Sequence, residues 1–216
     1  MRTGEACALT WNDINFEDRT ITINHNVYSK PKDEKGKWFI GTPKTINSER
    51  KVYICDTLLI ALNNYKNKQE NLRKIYGKKY HYYHLEEVKN KYGKVIEYRI
   101  VETNKKSKKI ENLDLIFTKH DGIYIGTDIV KYPYKVIRDE LGIENCRFYD
   151  LRGSFATKAL RSGVEIKDVA EILGHSRIET TENYYISSST ENQKNATELF
   201  EKQIQSEVIS NIIKFK

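Results

Sequence analysis

The chain has 216 residues, of which 38% are apolar and 31% are charged, so it can fold around one sizeable hydrophobic core. Lysine and arginine outnumber aspartate and glutamate by 37 to 30, and the net charge of +7 favours a polyanionic partner. No segment reaches the ~18 consecutive apolar residues of a membrane span, and the N-terminus lacks the apolar core of a signal peptide. We therefore expect one cytoplasmic domain. The three cysteines are too widely spaced for a disulfide framework or a paired metal site.

The first residues predict a helix followed by extended segments. Residues 1–11 have apolar side chains at helical spacing but no Ser, Thr or Asp cap, which predicts a helix whose upstream neighbours are absent. Residues 12–16 are typical of a turn. Alternating β-branched residues and turn signals then predict extended segments at residues 19–24, 26–33, 36–40 and 51–54. One small antiparallel sheet is the simplest assembly of these segments.

A helix and an insertion follow the strands. Asp56 or Thr57 can cap a helix that carries apolar residues as far as Tyr65, and the pattern then dissolves among the polar residues 66–79. We interpret residues 77–112 as an inserted hairpin on the surface. Its strands are predicted at residues 81–85 and 94–101, before a basic loop at 103–109. Its tyrosines and lysines could contact nucleic acid, although tyrosines of an edge hairpin more often only pack.

The C-terminal half is predominantly helical. After a short buried strand at 114–118 and a turn at 120–122, helices are predicted at residues 127–141, 149–161, 166–173, 180–185 and 190–216. Gly142, Gly163 and Gly174 are placed to end three of these helices. The last helix carries a long apolar stripe. The expected fold class is therefore α+β, mainly α, with a small antiparallel β-sheet and an inserted surface hairpin.

An arginine, a histidine and a tyrosine recur in one short stretch of this helical half. Arg152 offers a planar fork of donors that fits phosphate oxygens, and His175 can donate one further hydrogen bond. Tyr184 carries a hydroxyl that can attack phosphorus. Together these side chains predict chemistry on a phosphodiester.

Four short motifs in chain order extend this prediction. They are Arg2 with Gly4, Glu5 and Leu9; residues 42–45 around Lys44, before Arg50 and Val52; Asp150, Leu151 and Arg152 before Phe155, Ala156 and Thr157; and Leu173, Gly174 and His175 before Thr180, Thr181 and Tyr184. The tyrosine follows the histidine by nine residues (184 − 175). In this order and spacing the motifs resemble the catalytic domain of tyrosine recombinases, also called phage integrases. The resemblance covers essentially the whole chain except the inserted hairpin.

The resemblance implies a role for each matching residue. Arg2, Arg152 and His175 would bind the non-bridging oxygens of the scissile phosphate of DNA. Tyr184 would be the nucleophile, forming a 3′-phosphotyrosyl link and releasing a 5′-hydroxyl, while Lys44 would protonate the leaving oxygen. Covalent capture keeps the phosphodiester energy for rejoining, so no cofactor, ATP or metal ion is expected. The implied partners are double-stranded DNA at attachment sites, a homotetramer on that DNA, and an accessory DNA-bending or directionality factor.

Several positions leave alternatives open. Tyr149 stands where the family most often has histidine; a phenol can donate a hydrogen bond but is a poor base at neutral pH. Tyr185 is a rival nucleophile beside Tyr184. Glu5 and Asp150 are expected to brace the arginines as buried partners. The remaining histidines show no defensible metal-ligand spacing; they are His25, His81, His84 and His120.

The resemblance also predicts how the chain is divided. Residues 1–189 are expected to form the catalytic domain, without an N-terminal core-binding domain or the first helices. The helix at 190–216 could pack on its own domain or dock onto a neighbouring subunit, and we favour docking. The function expected is that of a site-specific DNA recombinase or integrase of a mobile element. The alternatives are a truncated or catalytically impaired DNA-binding remnant, and a strand transferase like the type IB topoisomerases.

Overall fold

The structure is a computed structural model that describes residues 1–30, 37–41, 49–103, 112–186 and 201, with side chains left out at 183–186. Its α-helices are α1 (Thr3–Ala8), α2 (Asp56–Tyr76), α3 (Lys131–Asp139), α4 (Asp150–Arg161), α5 (Ile166–Leu173) and α6 (Glu179–Ile186). Its strands are β1 (Ile14–Asn15), β2 (Thr20–Ile23), β3 (Asn26–Ser29), β4 (Trp38–Gly41), β5 (Arg50–Tyr53), β6 (Tyr82–Lys89) and β7 (Val95–Thr103). Within these ranges, no helix has both the length and the apolarity needed to cross a bilayer.

The strands form two antiparallel sheets instead of the single sheet expected. One sheet has the order β1-β2-β5, and the other has the order β3-β4-β7-β6. The chain changes sheet across Asn24 and His25, the two residues that separate β2 from β3. It returns at β5, where Val52 pairs with Ile21 of β2. The register of each pair places alternate apolar residues inward, as half-buried strands require.

Helix α1 packs against β3 of the four-stranded sheet and is shorter than predicted. It ends at Ala8, and a 3₁₀ turn at Trp11–Asp13 follows, so the predicted helix over residues 1–11 was too long. Cys7 and Ala8 pack in the core of the four-stranded sheet, while Leu9 and Trp11 pack in the core of the other. The switch of core explains why the apolar residues looked continuous in sequence. The short β1 lies within the predicted turn at 12–16.

Gly4 lets α1 approach β3 closely. A Cβ atom at Gly4 would lie 2.3 Å from Oδ1 of Asn26 and 2.7 Å from the carbonyl oxygen of Val27. A larger residue would therefore push the helix away from the sheet. This contact fixes the position of Arg2 and Glu5, which flank the glycine at the helix start.

The predicted hairpin is present, but it is more deeply built into the fold than a surface insertion. Strand β7 pairs with β4 as well as with β6, so the hairpin completes the four-stranded sheet. Tyr83 and Ile100 are buried in its core, and the Tyr83 hydroxyl accepts a 2.9 Å hydrogen bond from the backbone N–H of Tyr124. At the far end Tyr92 and Ile96 are exposed. Most of the predicted basic loop at 103–109 lies outside the described residues.

Helix α2 extends to Tyr76, whereas the sequence pattern predicted its end near Tyr65. The polar residues beyond Tyr65 are structural partners of the core. Gln69 is buried, accepts a 2.7 Å hydrogen bond from Trp11 Nε1 and donates through Nε2 to the carbonyl oxygen of Leu115 over 3.1 Å. Hydrogen bonding therefore replaces apolar packing on this face, which is why hydrophobic periodicity missed it.

The predicted strand at 114–118 is reduced to a single bridge. Leu115 pairs with Thr10, and both Leu115 and Ile116 are buried. The segment is therefore as buried as expected, but its ladder does not extend to neighbouring residues.

Helices α4, α5 and α6 follow the predicted boundaries closely, whereas the predicted helix at 127–141 is a 3₁₀ segment at Gly126–Val130 followed by the shorter α3. Helices α4, α5 and α6 pack on one another, and α5 also contacts β5. Their shared core consists of Ala156, Leu160, Val169 and Leu173. Burial of a side chain the size of valine or leucine contributes about 1.5–3 kcal/mol. The predicted helix at 190–216 lies outside the described residues, apart from Glu201.

Candidate active site

Three arginines from distant parts of the chain converge on the C-terminal end of α5. Each guanidinium donates to one of three consecutive backbone carbonyls there. The hydrogen bonds run from Arg50 Nε to Ile172 O over 2.8 Å, from Arg152 Nη2 to Leu173 O, and from Arg2 Nη2 to Gly174 O over 3.4 Å. Carbonyls in the last turn of a helix have no intrahelical donor and carry partial negative charge. The helix end therefore gathers three cations that would otherwise repel one another.

A buried carboxylate joins two of these arginines. Glu5 Oε1 accepts a 2.6 Å hydrogen bond from Arg2 Nη1, and Glu5 Oε2 accepts one of 2.9 Å from Arg50 Nη2. Burial favours the neutral acid, but the hydrogen bonds from Arg50 and Arg2 outweigh it and lower the pKa of Glu5 to about 2. Glu5 is therefore ionised at neutral pH and compensates part of the positive charge.

Arg152 is the least compensated member of the cluster. Its side chain starts from the first turn of α4 and is 4% exposed. Within the part of the chain that the structure describes, its buried Nε and Nη1 atoms have no hydrogen-bond partner. Burial and the neighbouring charges of Arg2 and Arg50 lower its pKa, although Glu5 acts in the opposite sense. Two unsatisfied donors on a buried cation form a site that an oxyanion would fill.

His175 is held beside the cluster by a threonine of α6. Its Nδ1 lies 2.8 Å from the hydroxyl oxygen of Thr181, a fully buried residue. Burial, together with the charges of Arg152, Arg2 and Arg50, lowers the pKa of His175 to about 4. The imidazole is therefore neutral at pH 7 in the absence of an anion. An anion among the arginines would reverse much of this effect and favour protonation.

Gly174 gives the chain the turn that delivers His175 to this position. It ends α5 with φ +67, a left-handed conformation that favours glycine. A Cβ atom there would also lie 2.9 Å from Nη1 of Arg50. Both the turn and the close approach of Arg50 therefore require a residue without a side chain.

Asp150 does not brace the arginine cluster, contrary to the prediction. Its carboxylate accepts hydrogen bonds from the backbone and side chain of Arg147, at 2.8 Å and 3.0 Å for the shortest contact of each kind. The ion pair of Asp150 with Arg147 is solvent-exposed. Asp150 and Arg152 are two positions apart on α4, so their side chains point in different directions. Asp150 thus pairs with Arg147, which lies just before α4, and not with the arginine cluster.

Tyr149 lies at the edge of the site. It is 48% exposed, and its backbone carbonyl accepts a 3.0 Å hydrogen bond from the backbone N–H of Arg152. Its phenolic group is close enough to act on the Arg152 guanidinium electrostatically. It could therefore donate to an anion that enters from solvent.

The remaining predicted residues are described in part or not at all. Lys44 lies outside the described residues. The backbone of Tyr184 and Tyr185 belongs to α6, one turn after Thr181, but their side chains are not described. Because α6 packs against α4 and α5, the backbone of this turn belongs to the same three-helix unit as Arg152 and His175.

Arg50 is the member of the cluster that the sequence did not assign. It occurs in the motif containing Lys44, but nothing in the pattern distinguishes it from the other basic residues of a lysine-rich chain. Its side chain is 5% exposed, and it opens β5.

The arrangement favours a phosphate group over a metal ion. The groups directed at the site are guanidinium and imidazole N–H donors, which bind oxyanions. Among the residues that the structure describes, no three His, Cys, Asp or Glu side chains cluster in a way that could hold a metal. The site can thus bind a phosphate and stabilise negative charge that develops on it.

Comparison with known proteins agrees with the geometry. The chain matches the Phage integrase family over residues 1–192. It is 30% identical over 203 residues to a "Tyrosine recombinase XerC-like" protein of Caldanaerobacter subterraneus subsp. tengcongensis, covering 92% of this chain and 45% of that protein. It is 26% identical over 185 residues to the transposase from transposon Tn916 of Enterococcus faecalis, covering 86% and 38%. The chain thus spans less than half the length of these relatives.

Solved structures confirm the expected fold. The Tn1549 transposon integrase in complex with a circular intermediate DNA superposes with a TM-score of 0.62 at 18% identity, covering 93% of this chain and 54% of that one. The XerA recombinase superposes with a TM-score of 0.50 at 20% identity, covering 85% and 47%. With a family match along nearly the whole sequence and the same fold, the chain belongs to the phage integrase family.

Proposed function

We propose that the protein is a site-specific DNA recombinase or integrase of a mobile element, and that Arg2, Arg152 and His175 bind the scissile phosphate. The observation that carries this proposal is the buried guanidinium of Arg152, which has two unpaired donors within the described structure. A phosphodiester would supply acceptors for both donors and would offset the charge of three arginines. Family membership supplies the reaction class.

Strand cleavage would transfer the phosphoryl group from DNA to the protein. The hydroxyl oxygen of Tyr184 forms a bond to phosphorus, and the bond from phosphorus to the 5′ oxygen breaks. Lys44 gives a proton to that leaving oxygen, while the tyrosine proton passes to a base or to water. The product is a 3′-phosphotyrosyl link and a free 5′-hydroxyl. Rejoining reverses these steps, so the reaction consumes neither ATP nor a cofactor.

The arginine cluster would act mainly in the transition state. Charge on the phosphoryl oxygens is redistributed as the pentacoordinate species forms, and fixed donors in a partly buried site stabilise it without rearranging. Tyr149 would contribute a hydrogen bond from its hydroxyl. On this view Tyr149→Phe lowers the cleavage rate and Tyr149→His preserves it, whereas equal rates in all three proteins would exclude a role for the hydroxyl.

The proposed partner is double-stranded DNA. Two of the similar proteins are a transposase and a transposon integrase in complex with a circular intermediate DNA, and the chain carries a net charge of +7. Residues 1–189 would form the catalytic domain in the cytoplasm. Residues 190–216 would dock onto a neighbouring subunit of a homotetramer on DNA, where an accessory bending or directionality factor can join.

A nicked suicide substrate tests this function. The nick lets the short downstream strand diffuse away, so cleavage traps the protein on DNA as a covalent adduct. We expect an adduct with the unaltered chain and with Tyr185→Phe, but none with Tyr184→Phe. Loss in Tyr185→Phe alone would assign the nucleophile to the neighbouring tyrosine.

The same assay distinguishes the alternatives. DNA binding without an adduct would identify a catalytically impaired remnant. An adduct combined with relaxation of supercoiled DNA that lacks an attachment site would identify a type IB topoisomerase-like strand transferase. Affinity that stays flat as salt increases would contradict DNA as the partner, because phosphate contacts release counterions.

A further inference from the structure

Arg50 occupies the centre of the network that holds the proposed phosphate-binding residues in place. Its Nη2 donates to Glu5 Oε2 over 2.9 Å, and its Nε donates to the carbonyl oxygen of Ile172 over 2.8 Å. The first contact leads to Arg2, because the other oxygen of Glu5 accepts from Arg2 Nη1. The second contact leads to His175, which follows Ile172 by three residues at the end of α5.

The planar guanidinium makes these two contacts in different directions at once. Nε donates to the end of α5, and the terminal Nη2 donates to α1. A lysine ammonium on a flexible stem could reach one acceptor at full strength, but it lacks a second rigid donor. Two guanidinium nitrogens of Arg50 already donate to acceptors of the protein, whereas only one of Arg152 does among the described residues, so Arg50 has less capacity to bind a DNA phosphate.

Gly174 reserves the space that this arrangement needs. A Cβ atom at that glycine would lie 2.9 Å from Nη1 and 3.2 Å from Cδ of Arg50. The guanidinium is therefore packed against the turn that presents His175, as well as hydrogen-bonded to the helix before it. Movement of Arg50 would be transmitted to that turn.

We propose that Arg50 is a positioning residue for strand cleavage, which holds Arg2 through Glu5 and His175 through the end of α5 in the geometry that binds the phosphate. This inference rests on the catalytic assignment above. It predicts that Arg50 governs the rate of the chemical step and leaves DNA affinity nearly unchanged, since its Nε and Nη2 donate to other parts of the site and not to DNA. A displacement of about 1 Å at such a site lowers rates by up to about 100-fold.

The test compares Arg50→Lys and Arg50→Gln with the unaltered 216-residue chain on the suicide substrate. Adduct formation is followed in a single turnover at saturating DNA, alongside DNA affinity and the midpoint of thermal unfolding. Arg73→Lys is the matched control, because Arg73 is also a largely buried, ion-paired arginine but lies on α2, outside the cluster. We expect Arg50→Lys to lower the saturated rate by on the order of tenfold or more, with affinity within about twofold and the protein folded.

Two further readouts separate positioning from simple support of the fold. If Arg50 acts through Glu5, the rate losses of Arg50→Lys and Glu5→Gln are not additive in the double variant. The titration of the His175 ring, followed by NMR, separates charge from geometry. Arg50→Gln removes a nearby cation and raises the pKa of His175, whereas Arg50→Lys keeps that charge and leaves the titration close to the original.

Each outcome decides the proposal. A cleavage rate in Arg50→Lys equal to that of the unaltered chain would overturn it. A loss of cleavage rate that is proportional to the unfolded fraction would also overturn it. The same holds for a loss of DNA affinity without a loss of rate, and for an equal loss of rate in Arg73→Lys. Additive losses in the double variant would overturn the path through Glu5. An unaltered chain that forms no adduct would overturn the proposed function, and with it this inference.

Discussion

Two largely buried arginines show how the same side chain can support the fold in one region and receive a ligand in another. On α2, Arg73 forms hydrogen bonds through both terminal nitrogens to the carboxylate of Asp114, and its Nε is the one nitrogen left unpaired within the described residues. Burial by itself lowers the pKa of Arg73, but the carboxylate of Asp114 outweighs burial and raises it. On α4, Arg152 donates a hydrogen bond to a single backbone carbonyl and to no carboxylate among the residues that the structure describes.

The difference in compensation indicates what each region does. Arg73 already has its counter-ion, so it ties α2 to the segment that carries Leu115 and can contribute to stability. Arg152 is surrounded by Arg2 and Arg50, and burial with these charges lowers its pKa. A site that leaves a buried cation undercompensated lowers the stability of the empty protein but binds an anion tightly.

Replacement of Arg152 gives the largest expected effect. Arg152→Lys keeps a charge but loses the planar pair of donors, so we expect adduct formation on the suicide substrate to fall by about 10²–10³-fold. Because only Nη2 of Arg152 has a hydrogen-bond partner among the described residues and lysine keeps the buried charge, the midpoint of thermal unfolding should change little. If Arg152→Lys were much less stable but cleaved DNA normally, Arg152 would support the fold, as Arg73 does, and would not bind the phosphate.

Arg73→Met gives the opposite pattern. The change removes the ion pair of Asp114 and one of the hydrogen bonds that Gln69 accepts, so we expect a loss of about 1–3 kcal/mol in the free energy of unfolding by urea. The lower part of this range is favoured because Asp114 is 36% exposed and solvent can replace the lost contact. Under conditions in which the variant is folded, the cleavage rate should match that of the unaltered chain. A selective loss of cleavage would show that α2 belongs to the active site.

The sequence identified Arg152 and His175 but not the reason for the length of α2. The ends of α4 and α5 could be predicted because Gly163 and Gly174 mark them locally. The end of α2 could not, because Gln69 is buried through hydrogen bonds to Trp11 and Leu115, which are distant in sequence. Hydrophobic periodicity records apolar contacts and is insensitive to buried polar ones.

The site was also only partly visible in the sequence, for a similar reason. The resemblance assigned roles to residues within short motifs, so it placed Asp150 beside Arg152 as a brace. The side chain turns instead to Arg147 at the helix start. Conversely, Arg50 reaches α5 across 122 residues, and its partner is a backbone carbonyl that no sequence pattern marks. The pairing of β4 with β7 is non-local in the same way.

Two glycines that end helices differ in their distance from the proposed active site. Gly163 and Gly174 both end helices with positive φ, but a Cβ atom at Gly163 would meet nothing within 4 Å. Gly163→Ala should therefore cost about 1 kcal/mol of unfolding free energy from backbone strain. Gly174→Ala adds a clash with Arg50 to the same strain, so we expect it to lower the free energy of unfolding by about 1–2 kcal/mol. We also expect adduct formation to be slower. Equal effects on cleavage in the two variants would mean that the approach of Arg50 to this turn does not matter.

The titration of His175 gives the most specific effect. Because its pKa in the folded protein, about 4, lies below the value near 6.5 of an unfolded chain, the unfolded state binds more protons between these limits. Stability should therefore be unaffected by this group above pH 6.5 and should decrease as pH falls towards 4. Urea unfolding of the unaltered chain and of His175→Gln at pH 7 and pH 5 measures the difference. Inorganic phosphate in the site would offset the three arginines and raise the pKa of His175, which the NMR titration detects. An ordinary pKa that phosphate does not change would contradict an anion site built on undercompensated arginines.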